Sequence, residues 1–323
     1  MPKTQGSVAI RAPCIGAAMA QRIGQAVKRA LRNGGAVEVD DTGDTTHETE
    51  GNSKRLPEMR QFTYPLRMQE KHVQWAWQWD TFYDDNQWLF TEWIYPRTLE
   101  QFRGKDVLDC GCGGGQHMNF VAPFAKSVTG VDLNAIRCAG ANTKHLTNAE
   151  LVEADLAEMD LQKQFDVVYC IGVLHHTDDP TRTFRNIARH CKSGGTVIVW
   201  VYSHEGNFWN RTLLEWVKRA VLLRLPRRIN LVLAHILTAL LYLPVYSLYR
   251  LPLPSLPFFE YFDNWRKLSY HRNLLNVFDK LNAPQTWFIT KDQITEWFSE
   301  NQFTDVHISP YKGVSWRGSG VKR

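Results

Sequence analysis

A glycine run and three acids define the chemistry this chain can attempt. Val107-Leu108-Asp109-Cys110-Gly111-Cys112-Gly113-Gly114-Gly115 reads as a strand that enters a glycine turn and then a helix. Glycines let the backbone turn tightly and let a ligand approach the main chain, with the N–H groups of the following helix pointing at it. A dinucleotide fingerprint wants glycines at 111, 113 and 116, but Gln116 stands at the third, and Asp109 lies two residues before the first. An acid there repels a pyrophosphate and favours a ligand that carries an ammonium and a sulfonium. Asp132 closes the run Val128–Asp132, about twenty residues after the turn, where a carboxylate accepts ribose hydroxyls. Asp155 follows the next strand and is placed to accept from an adenine amino group. After a fourth strand come Leu174-His175-His176-Thr177-Asp178. Either imidazole is a candidate general base with Asp178 as its orienting carboxylate, or both simply shape the pocket.

The elements that must hold these residues follow from the apolar pattern. Asp106–Cys110, Ser127–Asp132, Glu150–Glu153, Phe165–Cys170 and Thr196–Tyr202 read as strands, with helices at Gly115–Phe124, Ala135–His145 and Thr181–His190 between them. Strands alternating with helices at this spacing make a parallel α/β sheet. Each acid then falls at the carboxyl end of a successive strand, where such sheets bind ligands. Thr290-Lys291-Asp292-Gln293 is a capping box that opens a helix through Glu300. Thr304–Ser309 and Gly313–Arg317 are short enough to pair as an antiparallel edge.

Over residues 103–202, with 290–317 as a terminal helix and hairpin, the chain resembles the class I S-adenosylmethionine-dependent methyltransferases. The resemblance rests on the glycine motif, Asp132, Asp155, the strand Phe165-Asp166-Val167-Val168-Tyr169-Cys170 and Lys192-Ser193-Gly194-Gly195 before the fifth strand. It implies a Rossmann-like seven-stranded sheet of order 3-2-1-4-5-7-6 with the last-numbered strand antiparallel, and S-adenosyl-L-methionine as cofactor. It also implies that Asp109, Gly111, Cys112, Gly113, Asp132, Leu133, Asp155, Leu156 and Cys170 line the cofactor pocket. No Asn-Pro-Pro-Tyr or Asp-Pro-Pro-Tyr follows the fourth strand, where Cys170-Ile171-Gly172-Val173 stands. That argues against nucleobase-amine and glutamine acceptors. Leu174-His175-His176 and the long apolar insertion are most similar to the small-molecule methyltransferases that include quinone and lipid-pathway members. An RNA methyltransferase, and a binding protein that kept the cofactor pocket without catalysis, are the alternatives.

The remaining chain surrounds that core. Of 323 residues, 38 are basic and 33 acidic, a net +5 too small for the basic field of a dedicated nucleic-acid binder, so no DNA partner is expected. Cys110-Gly111-Cys112 is too closely spaced for zinc, and the six cysteines fit reduced thiols in a cytoplasmic chain. Residues 1–55, basic and then acidic, read as a disordered arm, or as a start resembling an organelle transit sequence. Residues 56–100 form an aromatic helical lid in which Trp75, Trp79, Phe82 and Tyr83 share one face; Trp79, Phe82 and Tyr83 either close over the cofactor or form a plain packing face. Residues 101–205 and 286–323 are the core, and 206–285 a helical, apolar and basic insertion that selects a small, apolar or lipid-linked acceptor. Within it, Phe208–Leu225 is a basic amphipathic helix, and Ile229–Leu243 carries no charge before Pro244. Read as ending at that proline, the run is about 15 residues, short of the roughly 20 needed to span a bilayer. Three readings of 208–256 stay open: peripheral docking at an anionic membrane, a soluble cap over a greasy cavity, and a span.

Overall fold

A computed structural model describes residues 75–83, 85–299 and 303–323. The arm over 1–55 and the lid segment up to 74 lie outside the described residues. Seven strands, β1 (Asp106–Cys110), β2 (Ser127–Asp132), β3 (Ala149–Glu153), β4 (Phe165–Ile171), β5 (Cys191–Tyr202), β6 (Phe303–Tyr311) and β7 (Ser315–Lys322), form one sheet in the order β3-β2-β1-β4-β5-β7-β6. The first five are parallel, and β7 runs antiparallel to both β5 and β6. This is the class I order the resemblance implies.

Helices cover both faces, so the inner strands are apolar without alternation, as a sheet buried on two sides requires. One face carries α2 (Gln87–Ile94), α3 (Gln116–Val121) and α4 (Ile136–Thr143), packed on Val107, Val128 and Tyr169. The other carries α5 (Pro180–Arg189) and α10 (Lys291–Ser299) on Leu108, Val168 and Val199. The expected capping box forms: the Thr290 hydroxyl accepts from the Gln293 N–H at 3.1 Å, and the Gln293 side chain accepts from the Thr290 N–H at 3.0 Å. A further helix, α1, covers 75–81 and ends before Phe82 and Tyr83.

The insertion departs from the end of β5 and returns to the same place. Ser203 bridges Ile289, and Glu205 accepts from the Lys291 N–H and the Trp316 indole. Between them lie a π-helical turn (Asn210–Leu214), α6 (Glu215–Ala220), α7 (Arg227–Ser247), α8 (Phe259–Trp265) and α9 (Tyr270–Asn282). Its own core joins Phe82 from the lid to Leu222, Ala234, Leu274, Leu275 and Phe278.

One sequence expectation changes here. Pro244 does not end the apolar helix: α7 continues through it to Ser247, 21 residues in all. At 1.5 Å per residue it is about 31 Å long. The amphipathic segments also face the opposite way from a soluble helix. In α6 the buried side chains are Glu215 and Lys218, while Trp209, Leu213 and Trp216 of the same stretch are exposed, Trp216 by 68%. In α7 the small and polar Asn230, Ala234 and Thr238 are buried, and Ile229, Val232, Ile236, Leu240 and Leu243 form an outward stripe, with Leu243 exposed by 77%.

Phe278 holds lid and insertion together, with ring centroids 5.4 Å from Trp77 and 5.5 Å from Phe82. Phe278→Ala is expected to cost about 3–5 kcal/mol, the usual range for a fully buried Phe. A denaturant midpoint that does not fall would contradict this packing.

Candidate active site

Because β1 to β5 are parallel, Asp109, Asp132, Glu153, Ile171 and Tyr202 stand at or near carboxyl ends on one edge of the sheet. In register, Asp109 lies beside Gly130 on β2 and Tyr169 on β4. The turn after β1 needs its glycines: Gly111 and Gly113 have φ of +83° and +52°, a region that disfavours side chains. A Cβ on Gly111 would overlap the Val173 side chain. One on Gly113 would lie 2.7 Å from the Trp79 indole. The turn is therefore bare on the side where Val173 and the lid approach it.

Asp109 is 1% exposed, and neither carboxylate oxygen has a hydrogen-bond partner. Burial pushes its carboxyl up to about 8, opposed by the nearby Tyr169 hydroxyl and reinforced by the charge of Asp132. A buried, unpartnered carboxylate beside a bare glycine turn fits a cationic ligand, which would supply the missing partner. The residues present thus fit S-adenosylmethionine, whose cationic amino-acid portion Asp109 would hold.

Asp132 is more heavily engaged than the sequence suggests. Its Oδ2 accepts from the Gly113 N–H at 3.0 Å, and its Oδ1 from the N–H groups of Asn134 and Ala135 at 2.8 and 3.0 Å. Burial raises its pKa while these donors pull it back. Together with the Leu133 N–H, these backbone donors tie β2 to the glycine turn through Asp132. The half-buried Asp155 accepts from the Ala157 N–H at 2.8 Å.

Other expected pocket residues fall elsewhere. The side chains of Leu156 and Cys170 are buried in the sheet core, which makes them packing residues. Cys112 is likewise buried among apolar side chains, and burial raises both thiols far from ionisation. Leu133 is half-buried beside Asp132. In the lid, the Trp79 ring lies against Gly113 of the glycine turn. Tyr83 instead sits over α3, its hydroxyl 3.4 Å from the Asn119 amide that donates to it. Phe82 turns away, into the insertion.

Next to the turn is a cavity of about 410 Å³. Its walls include Trp75, Trp79, Val173 and Trp200 from the lid and sheet edge, and Leu237, Leu241, Phe258 and Phe262 from the insertion. His176 lines it, whereas His175 is packed behind, its ring 4.1 Å from that of Tyr202. The His176 Nδ1–H donates to the Gln285 carbonyl at 2.8 Å, which fixes the tautomer and leaves Nε2 with the lone pair. Burial lowers the His176 pKa, so the ring is held neutral.

Asp178, the expected orienter, is exposed. The carboxylate that faces His176 is Asp279 of α9, its Oδ2 3.8 Å from Nε2. Asp279 also accepts from the Tyr202 hydroxyl at 2.9 Å and the Gln78 amide at 3.3 Å. Close by, Lys218 forms an ion pair with Glu215 and donates to the Thr286 hydroxyl. The sequence patterns did not mark Asp279, Tyr202, Lys218 or Gln78. The available signal was an acid at 279 beside the apolar positions 274, 275 and 278 of a helix.

The Asp109 geometry makes a calorimetric prediction. Below its raised pKa the acid is protonated in the free protein, and a bound cation favours the ionised form. Binding S-adenosylmethionine at about pH 6.5 then releases about one proton, and affinity rises about tenfold between about pH 6 and pH 7. Titrations in two buffers of different ionisation enthalpy read the proton, and Asp109→Asn abolishes its release. Wild-type binding without proton release would contradict the assignment.

Residues 108–199 match a family model described as a methyltransferase domain. A ubiquinone biosynthesis O-methyltransferase of Pseudomonas syringae pv. tomato is 38% identical over 115 residues, 34% of this chain and 48% of the relative. One of Pseudomonas fluorescens is 36% identical over 114 residues, with the same coverage. The chain thus spans about half the length of these relatives. Among solved structures, an S-adenosylmethionine-dependent methyltransferase from Mesorhizobium loti is 27% identical over 32% of this chain and 49% of that one, with a TM-score of 0.30. With the sheet order and the acid-flanked glycine turn already in place, residues 108–199 carry a methyltransferase domain on a sheet of the class I order.

Proposed function

We propose that this protein transfers a methyl group from S-adenosylmethionine to a hydroxyl of a small, apolar, lipid-linked biosynthetic acceptor. The observation that carries the reading is the adjacency of two features: the glycine turn with its buried Asp109, and an aromatic and aliphatic cavity lined by His176, whose Nδ1 is tied to the Gln285 carbonyl. The names of the sequence relatives support an acceptor of quinone-precursor type. When bound, the cofactor supplies a methyl already activated on a sulfonium, so positioning accounts for much of the acceleration. The walls of the cavity hold the acceptor and exclude water. His176 takes the hydroxyl proton at Nε2, a contribution of roughly 10²–10⁴-fold.

The insertion is proposed to rest on an anionic bilayer. Large apolar side chains turned to water along α7 and around Trp209 and Trp216 are unusual for a soluble surface. Arg219, Arg224, Arg228 and Arg250 are exposed along the same segment and complement acidic headgroups. Among the described residues, one helix, Arg227–Arg250, is long and apolar enough to cross a membrane. Its inward face, however, packs on the protein through Asn230, Ala234, Thr238 and Val245. A helix with one side held this way suits lying in the interface, its free stripe toward the acyl chains.

Two experiments test the reading. Incubation with methyl-labelled S-adenosylmethionine and a quinone and lipid extract should move label into the organic phase. His176→Gln should cut the rate by about 10²-fold or more while leaving cofactor binding intact; unchanged turnover removes His176 from the mechanism. The full chain should float with vesicles containing phosphatidylserine, and a Trp209→Ser, Trp216→Ser, Leu240→Ser variant should not. Equal recovery of the two contradicts membrane docking.

A further inference from the structure

We propose that Asp279, supplied by the insertion, is the positioning residue that sets the basicity of His176, and that Tyr202 tunes it. The inference rests on the hydroxyl-methylating reading and goes beyond it by assigning the charge that receives the proton. Asp279 lines the cavity from α9, with its Oδ2 3.8 Å from His176 Nε2 and 2.9 Å from the Tyr202 hydroxyl oxygen, while Gln78 donates to Oδ1 at 3.3 Å. Two donors leave about two of a carboxylate's four acceptor sites open. Both residues line the cavity, and His176 Nε2 lies beside the Asp279 carboxylate, so an acceptor hydroxyl entering the cavity can be held between them.

The proton and charge balance follows directly. As the acceptor oxygen forms its bond to the methyl carbon, the carbon–sulfur bond breaks with its electron pair left on sulfur. The hydroxyl proton passes to His176 Nε2. A sulfonium, a neutral alcohol and the neutral His176 imidazole would become a thioether, a methyl ether and an imidazolium, and the new cation would face Asp279. Tyr202 is held protonated by burial and by Asp279, so it acts as a donor and not as a base. Asp279 thus belongs to the acceptor side, as Asp109 belongs to the cofactor side.

Other charges surround His176. Glu215 and Lys218 approach from α6, Lys280 lines the cavity from α9, and His175 lies alongside. The Glu215 and Lys218 charges oppose each other within their ion pair, so Asp279 supplies the dominant favourable charge.

The test uses the full chain with histidine isotopically labelled and the His176 signal assigned through His176→Gln. Asp279→Asn should lower the His176 pKa by about one unit, as expected when an opposite charge within 4–6 Å is removed. Tyr202→Phe frees the carboxylate from a donor and should raise it, a shift opposite in sign that general damage does not produce. With 4-nonylcatechol as probe acceptor, Asp279→Asn should lower kcat by about tenfold or more and move the acid limb of the rate profile to lower pH, with cofactor affinity unchanged. If Asp279→Asn does not fold, the Tyr202→Phe shift decides. A His176 titration that neither variant moves overturns the coupling. If His176 shifts as expected but the wild type methylates neither the catechol nor any extract component, the function reading falls, and the catalytic role of Asp279 falls with it.

Discussion

Lys218 has no exposed surface, and an ammonium can be held there only if its charge and hydrogen bonds are met inside the protein. Glu215 and Thr286 meet them. Burial pulls the lysine's pKa down and Glu215 pulls it back up. Residues 215 and 218 share one helical face, so satisfying the lysine turns that face inward. Leu213 and Trp216, on the other side, then have only the exterior left. In α7 the same outcome has a steric cause: Asn230, Ala234 and Thr238 are small enough for close approach to the insertion's own core, and Asn230 donates to the Leu222 carbonyl at 2.9 Å. The apolar exterior of the insertion is therefore a consequence of the polar lining it presents to the cavity.

This arrangement divides the site into two halves of different origin. The cofactor half is local: a strand, a turn and a helix, with each acid at the end of its own strand. Its cost is concentrated in Asp109, a buried carboxyl group that burial holds protonated below about pH 8 and that a bound cation would ionise. The proposed acceptor half is assembled across long sequence separations, from Gln78, His176, Tyr202 and Asp279. Neither the lid nor the insertion closes it alone. Phe82 and Trp77 dock on Phe278, in the same helix that carries Asp279, so packing of the lid and placement of the carboxylate are physically linked.

The same division explains what was legible beforehand. Strand ends, the glycine turn and Asp132 are encoded within short windows, where periodicity and backbone requirements suffice. The sheet order follows from the family resemblance, and strand pairing agrees with it. Asp279 follows His176 by about a hundred residues, and nothing local marks it beyond its place on an apolar helix face. Asp178, adjacent in sequence to the expected base, is exposed, and the carboxylate found beside His176 is Asp279. Pro244 misleads as a helix end because a proline costs only one backbone hydrogen bond and a local clash, which a long packed helix can absorb. Phe208–Leu225 was legible as amphipathic and Ile229–Leu243 only as an uncharged run, and neither pattern says which face meets the protein. That depends on where Lys218 finds its partners.

The inverted orientation of the insertion is tested most directly by thiol labelling on opposite faces of α7. Cysteines are introduced singly, Thr238→Cys on the inward face and Leu240→Cys on the outward face, in a Cys14→Ser chain. The five cysteines at 110, 112, 138, 170 and 191 are buried. With a water-soluble maleimide on the folded protein, the cysteine at 240 should react at the rate of a free thiol, and the one at 238 should stay protected until the chain unfolds. Equal rates, or protection at 240 with reaction at 238, would contradict the structure of the insertion and remove the basis for its role at the site.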